Sequence, residues 1–208
     1  MSNSFNFLQV PPQTAKTAKG LIVVLHGWGA NAQDVASLAS IFQLPEYHFI
    51  FPDAPYAYPY SPMGKAWYDL RMEKMYQGLP ESRQLLIDWL LSLEAETGIP
   101  LSQTILSGFS QGGAMTLDVG LKLPFAGLVV MSGYLHPELE NTTPNQISPV
   151  LITHGRYDEV VPLAAAKRAK TTLESMGIGV QYHEFDMGHE IRPQTIDLFR
   201  NFVTANGE

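Results

Sequence analysis

The sequence predicts an α/β fold, a mostly parallel, doubly wound sheet with helices on both faces. Three observations carry this. Short apolar, β-branched runs alternate with longer amphipathic ones, the pattern of repeated βαβ units. Most of the short runs are apolar almost throughout, as strands covered on both faces must be. The 208 residues show no internal repeat and no linker-like break, so they read as one domain, 1–208, with residues 1–19 as an N-terminal segment.

In chain order, "LIVVLHG" (21–27), "HFIFPD" (48–53), "QTILSGF" (103–109), "FAGLVVMSG" (125–133), "PVLITHG" (149–155) and "VQYHEF" (180–185) read as strands. Helices are expected over 33–42, 81–97, 112–123, 163–176 and 194–204. One long irregular stretch, "DAPYAYPYSPMGKAWYDL" (53–70), is rich in proline and tyrosine. Loops of that length inside a compact domain are usually functional, although a stiff surface loop with inward-packed tyrosines would look the same.

Composition removes several function classes. A formal net charge of −7 argues against a nucleic-acid partner and against attraction to an anionic membrane surface. The absence of cysteine excludes disulfides, thiolate metal sites and a cysteine nucleophile. The first twenty residues lack the basic head and apolar core of a secretory signal, and no apolar run approaches membrane-spanning length. A cytoplasmic protein without an integral membrane segment is the expectation; nothing in the sequence speaks to its oligomeric state. No histidine–carboxylate cluster has metal-ligand spacing, so neither metal nor cofactor is expected.

In open parallel sheets, ligands gather at the carboxyl ends of the strands. The segments found there include "GFSQGG", "HGWGA", "HGRYDEVVP" and "DMGHEI". Gly108-Phe109-Ser110-Gln111-Gly112 fits the G-x-S-x-G nucleophile elbow between a strand and a helix. The turn crowds its flanking positions, so glycines at 108 and 112 relieve a collision of Cβ atoms. An ordinary glycine-rich loop is the alternative.

A rival motif precedes it. Gly27-Trp28-Gly29-Ala30-Asn31-Ala32 matches G-x-G-x-x-A, with Asp53 ending the next strand, as in a dinucleotide site. Trp28 is bulky where a pyrophosphate would approach, and prolines flank Asp53 closely. The same loop reads better as an oxyanion loop, in which the amides of Trp28 and Gln111 point at developing negative charge.

A serine nucleophile needs a base, and the base needs an orienter. Of six histidines, His48 and His183 lie in strands and His26 in the oxyanion loop. His136 follows "SGYL", and His154 sits at a strand end. His189, after the last strand, completes the order Ser…Asp/Glu…His. For the orienter, Asp158 after the penultimate strand is favoured over Glu159 and Asp186. A helix-capping role for Asp158 is the alternative.

With these residues assembled, the chain resembles the phospholipase/carboxylesterase family, which includes acyl-protein thioesterases. The similarity runs from "LHGWGA" through "PDAP", "AWYDL", "GFSQGGAM", "SGYL" and "HGRYDEVVP" to "GHEI". It implies an α/β-hydrolase fold, here without room for a separate lid domain. It also implies Ser110, Asp158 and His189 as the triad and Trp28 and Gln111 as amide donors. Family substrates are carboxylic esters, lysophospholipids or acyl-thioesters, so a small-molecule or acylated-protein substrate is implied.

The tyrosine–proline segment departs from the family pattern. Tyr56, Tyr58, Tyr60 and Met63, with Trp67 and Met131, are expected to form a stiff, shallow acyl site. A serine esterase for short to medium acyl chains follows. The alternatives are a long-chain acyl-protein thioesterase or lysophospholipase, and a catalytically silent hydrolase fold that binds a ligand.

Overall fold

A computed structural model describes residues 5–14, 17–141, 144 and 147–207. Its elements follow in chain order. They begin with β1 (Phe7–Val10), β2 (Leu21–Leu25), α1 (Ala32–Val35), α2 (Leu38–Phe42) and β3 (His48–Pro52). A hairpin of β4 (Tyr56–Ala57) and β5 (Lys65–Ala66) comes next, then α3 (Leu79–Thr97), β6 (Thr104–Phe109) and α4 (Gln111–Gly120). The chain continues through β7 (Gly127–Met131), β8 (Val150–Gly155), α5 (Leu163–Ser175), β9 (Val180–Phe185) and α6 (Pro193–Asn206).

Among the described residues seven strands form one sheet in the order β1-β3-β2-β6-β7-β8-β9. All neighbours pair in parallel except β1, which runs antiparallel along β3. Strand order reverses at β2, which lies between β3 and β6, so the crevice between β2 and β6 is the switch point where α/β sheets bind ligands. No helix among the described residues is long and apolar enough to cross a membrane.

Alternation along each strand feeds two apolar layers. Leu21, Val23 and Leu25 of β2 belong to the layer that also holds Trp89, Met115 and Leu173 from α3, α4 and α5. Ile22 and Val24 face the opposite layer, with Phe42 of α2 and Phe199 and Phe202 of α6. The Phe42 and Phe199 rings stack at 3.8 Å. Such two-sided cover is why the central strands read as continuous apolar runs.

Five departures from expectation stand out. Strand β1 lies inside the N-terminal segment; four residues are too few to show a period. The helix expected over 33–42 is two single turns. α1 is anchored by Asp53, whose Oδ1 accepts from the Ala32 amide, and by a capping box of Asn31 and Asp34. α2 is anchored at its other end by the Phe42 stack, and Gln43 stops it in the left-handed region at φ 54°. α3 starts at Leu79 rather than 81, because Pro80 is tolerated in a helix's first turn. α4 starts one residue earlier than expected, at Gln111, and ends at Gly120 rather than 123. The 53–70 stretch is partly regular, with Tyr56 opposite Ala66 and Ala57 opposite Lys65.

The turn from β6 into α4 is the tightest junction. A Cβ on Gly112 would lie 2.3 Å from the Leu25 carbonyl oxygen, and one on Gly108 would lie 2.3 Å from the Gly112 carbonyl. Both obstacles are backbone and cannot rotate away. Gly112→Ala is therefore expected to lower the melting temperature by roughly 3–10 °C, the effect of about 1–3 kcal/mol of overpacking in a chain this long. Gly179→Ala, where a Cβ meets nothing within 4 Å, should stay within about 2 °C of the parent by calorimetry.

Candidate active site

Ser110 sits on that junction, between the last residue of β6 and the first of α4. Its backbone takes φ 55° and ψ −118°, a conformation that L-residues avoid and that stores strain in the turn. The Ser110 amide donates to the Met131 carbonyl, which ties the turn to the end of β7. The end of β2 lies directly beneath, since a Cβ on Gly27 would be 3.4 Å from Ser110 Cβ.

Loops from the ends of β8 and β9 bring the other two members of the expected triad together. Asp158 Oδ2 accepts from His189 Nδ1 at 2.8 Å. Asp158 Oδ1 accepts from the Val160 and Val161 amides at 2.9 and 2.8 Å, so the carboxylate is held on both oxygens. Burial by itself would raise the Asp158 carboxyl, but the hydrogen bonds from His189 and the Val161 amide outweigh it and hold it below the usual carboxylate range. Gly155 permits the approach of the two loops: a Cβ there would fall 2.3 Å from the carbonyl oxygens of Met187 and Gly188. The Phe109 ring lies 4.7 Å from the His189 ring and backs it.

Ser110 and His189 line one cavity of about 550 Å³. Its walls are mostly apolar and include Leu70, Met75, Tyr76, Tyr134, Val160–Pro162 and Ala165. Trp28 closes the end near β2. Gln111 is the first residue of α4, so its amide has no carbonyl four residues back within the helix. The Gln111 side chain is fully buried, accepting from the Trp67 amide and donating to the Tyr68 carbonyl. It thereby bolts the segment after β5 onto the elbow. That second role is absent from the sequence pattern.

Three other histidines have structural bonds. His26 donates from Nδ1 to the Gly27 carbonyl and accepts at Nε2 from the Ala54 amide. Burial pushes its basicity down, which keeps the ring neutral as this pairing requires. His154 donates from Nε2 to the Val161 carbonyl and lies 3.4 Å from Asp158 Oδ2. His48 meets Gln9 across the β1–β3 pair. Asp186, the nearer carboxylate in sequence, is taken by Arg156 at 2.6 Å.

Nor does the glycine-rich loop cradle a pyrophosphate. The Gly29 amide donates to the Lys65 carbonyl, the Ala30 amide to Gly27, and the Ala32 amide to Asp53 itself. Its helix is a single turn of four residues.

The six residues expected to form the acyl site do not line the cavity around Ser110. Trp67 is fully buried and donates from Nε1 to the His26 carbonyl; Met131 packs in the layer under α6. The Tyr56 hydroxyl donates to the Gly78 carbonyl, and its ring borders a separate cavity of about 410 Å³. Tyr58 stands edge-on to Trp28 at 5.0 Å and covers Gly29. Tyr60 and Met63 are 67% and 73% exposed. The cause is backbone pairing: Lys65 donates to Ala30 and accepts from Gly29, which folds the hairpin onto the outer side of the Trp28 loop.

The phospholipase/carboxylesterase profile matches residues 10–206. The chain belongs to the phospholipase/carboxylesterase family. Among its relatives, acyl-protein thioesterase 1 of Neurospora crassa is 30% identical, the match covering 95% of this chain and 90% of that one. The crystal structure of esterase PE8 superposes with a TM-score of 0.90 at 30% identity, covering 97% of this chain and 99% of that one. A phospholipase/carboxylesterase from Dyadobacter fermentans gives 0.75 at 29% identity, covering 97% of each. The protein is thus a hydrolase with the α/β-hydrolase fold, and the described residues form no separate lid.

One feature of this family member had only a faint trace in sequence. Asp118, in the middle of the otherwise apolar "AMTLDVGL", is fully buried. It accepts from His136 Nδ1 at 2.6 Å and from Arg83 through Nε and Nη2. Burial would raise its pKa, but these bonds pull it below the ordinary carboxylate value. A depressed carboxyl contributes stability that is present above its unfolded pKa and is lost as pH falls through the folded one. Asp118→Asn should therefore cost about 3–5 kcal/mol in urea unfolding at neutral pH, with the gap to the parent shrinking as the pH is lowered into the carboxylate range.

Proposed function

We propose that this protein is a serine hydrolase that cleaves carboxylic esters of short to medium acyl chains through an acyl-enzyme. The observation that carries this is a serine on a strained strand-to-helix turn, sharing one apolar cavity with a histidine whose Nδ1 is bonded to a buried carboxylate. Ser110 Oγ attacks the acyl carbonyl while His189 Nε2 takes its proton. The carbonyl oxygen, now negative, receives hydrogen bonds from the Trp28 and Gln111 amides, each worth a few kcal/mol of barrier. His189 then returns the proton to the departing alkoxide, and water repeats the sequence to release the acid. Asp158 keeps Nδ1 protonated, which leaves Nε2 as the basic nitrogen, and it stabilises the imidazolium. The acyl chain lies against Leu70, Tyr76, Tyr134 and Val161.

A second reading is an acyl-protein thioesterase or lysophospholipase acting on long chains in the cytoplasm. The name of the Neurospora relative favours it, as do Met75 and Val160, apolar side chains on the cavity rim that are 47% and 67% exposed. A long chain would cover both.

A p-nitrophenyl ester series of rising acyl length, run beside a palmitoyl thioester and a lysophospholipid, separates these readings. We expect kcat/KM to peak at short or medium length; a palmitoyl optimum would hand the protein to the second reading. A fluorophosphonate should label Ser110 alone, and Ser110→Ala should abolish labelling and reduce turnover by at least about 1,000-fold. A ligand-binding protein without chemistry would show neither.

The orienting role has its own signature. Asp158→Asn should lower kcat by about three to four orders of magnitude, because an amide at that position stabilises the wrong tautomer of His189. His183→Ala, on β9, should keep parental kcat within about threefold by initial-rate measurement. Comparable losses in the two variants would be incompatible with His189 as the base.

A further inference from the structure

One wall of the cavity, formed by Tyr76 and Tyr134, rests on a chain of polar groups that the proposed chemistry does not use. Arg83 of α3 holds the Asp118 carboxylate of α4, and Asp118 holds His136. His136 Nε2 lies 2.8 Å from the Tyr68 hydroxyl, which lies 2.5 Å from the hydroxyl of Tyr134. Asp118, His136 and Tyr68 are all fully buried. Arg83 also meets Glu138 at 3.0 Å, so the chain runs from the surface to the cavity.

The order of protons along it is constrained. Asp118 accepts, so Nδ1 of His136 donates. The other ring nitrogen, Nε2, is paired with the Tyr68 hydroxyl, and that hydroxyl is paired with Tyr134. Burial raises both phenols well above their ordinary value, so both hydroxyls remain protonated donors. Three tyrosine rings stand nearly edge-on around the His136 ring: Tyr68 at 5.1 Å, Tyr76 at 5.7 Å and Tyr134 at 5.8 Å.

Stability does not explain such an array, because well-packed apolar residues of similar volume generally do as well as buried charges. A directed hydrogen bond supplies what apolar packing does not, a fixed position for one hydroxyl. Tyr134 is half-buried and borders the open cavity, so packing alone does not pin its ring. Its backbone end is already fixed. The preceding turn has Ser132 at φ 51°, and a Cβ on Gly133 would be 2.6 Å from Val130 Cγ1. The bond to Tyr68 fixes the other end.

We propose that this array gauges acyl length: Asp118, His136 and Tyr68 are positioning residues that clamp Tyr134 as a specificity-determining wall against long chains. The proposal rests on the hydrolase reading in taking the cavity as the acyl site. It moves the gate from the tyrosine–proline segment, which lies outside the cavity, to the loop after β7. Releasing the clamp lets the ring swing toward solvent and lengthens the site.

Tyr68→Phe removes one hydroxyl and keeps the ring. Tyr134→Phe removes the other partner, and the double variant removes the same bond twice. Two readouts apply to each: kcat/KM for p-nitrophenyl butanoate and dodecanoate, and calorimetric binding of butanoate and dodecanoate. We expect Tyr68→Phe to raise the dodecanoyl-to-butanoyl ratio about tenfold, through KM, with kcat on the butanoate ester within about twofold of the parent. Dodecanoate binding should tighten relative to butanoate in parallel. Tyr134→Phe should shift the ratio in the same direction, and the double variant should add little beyond either single change. Unchanged ratios would overturn the proposal, as would losses of the same factor at both lengths or multiplicative effects in the double variant. If the parent turns over no ester, the hydrolase reading fails, and the carboxylate series still decides whether the clamp sets chain length.

Discussion

The close approach of the α4 N-terminus to the end of β2 is the constraint on which the site depends. Backbone meets backbone there, with the Gly112 position pressed against the carbonyl oxygens of Leu25 and His26. Only residues without a Cβ allow it. The contact forces the chain to turn within one residue, and Ser110 absorbs the turn at φ 55°. A serine on a relaxed loop would lie in solvent with mobile surroundings. Here it is presented at the switch point of the sheet with its neighbours already packed.

Once that junction is set, the other groups need only reach it from the ends of adjacent strands. The β2 loop lies on one side and the β8 and β9 loops on the other, and a glycine at 155 again lets two backbones meet. Gln111 links the layers: its backbone opens α4 while its side chain secures the segment after β5. The fold is thus a rigid frame whose loops bear the chemistry, the usual division of labour in open α/β sheets.

The Asp158–His189 and Asp118–His136 pairs show how surroundings separate similar chemistry. Asp158–His189 borders a cavity shared with Ser110, and the second ring nitrogen of His189 has no hydrogen-bond partner among the described residues. Asp118–His136 is enclosed by tyrosines and an arginine, and both its ring nitrogens are bonded. The first pair is suited to moving a proton, the second to holding a wall. Both carboxylates are held below their ordinary pKa by hydrogen bonds that outweigh burial, so ionisation alone does not distinguish them.

Local pattern was sufficient for the sheet strands β2 and β3 and β6 to β9, for the Ser110 turn and for the chain order of Ser110, Asp158 and His189. Those features arise from short-range rules: apolar runs where both faces are covered, glycines where backbones collide, loops where strands end. Pattern also failed in a consistent way. It put Tyr56, Tyr58, Tyr60, Met63, Trp67 and Met131 around the serine because they are large and apolar, whereas pairing of Lys65 with Gly29 and Ala30 carries the hairpin elsewhere. It left His136 as a turn residue, because its partners Asp118 and Tyr68 lie 18 and 68 residues away. The sequence alone determined which residue types stand at the strand ends, Ser110, Asp158 and His189 among them, and in what chain order they come. Tertiary structure alone decided what surrounds them, since a cavity wall is made by segments that meet only after the chain has folded.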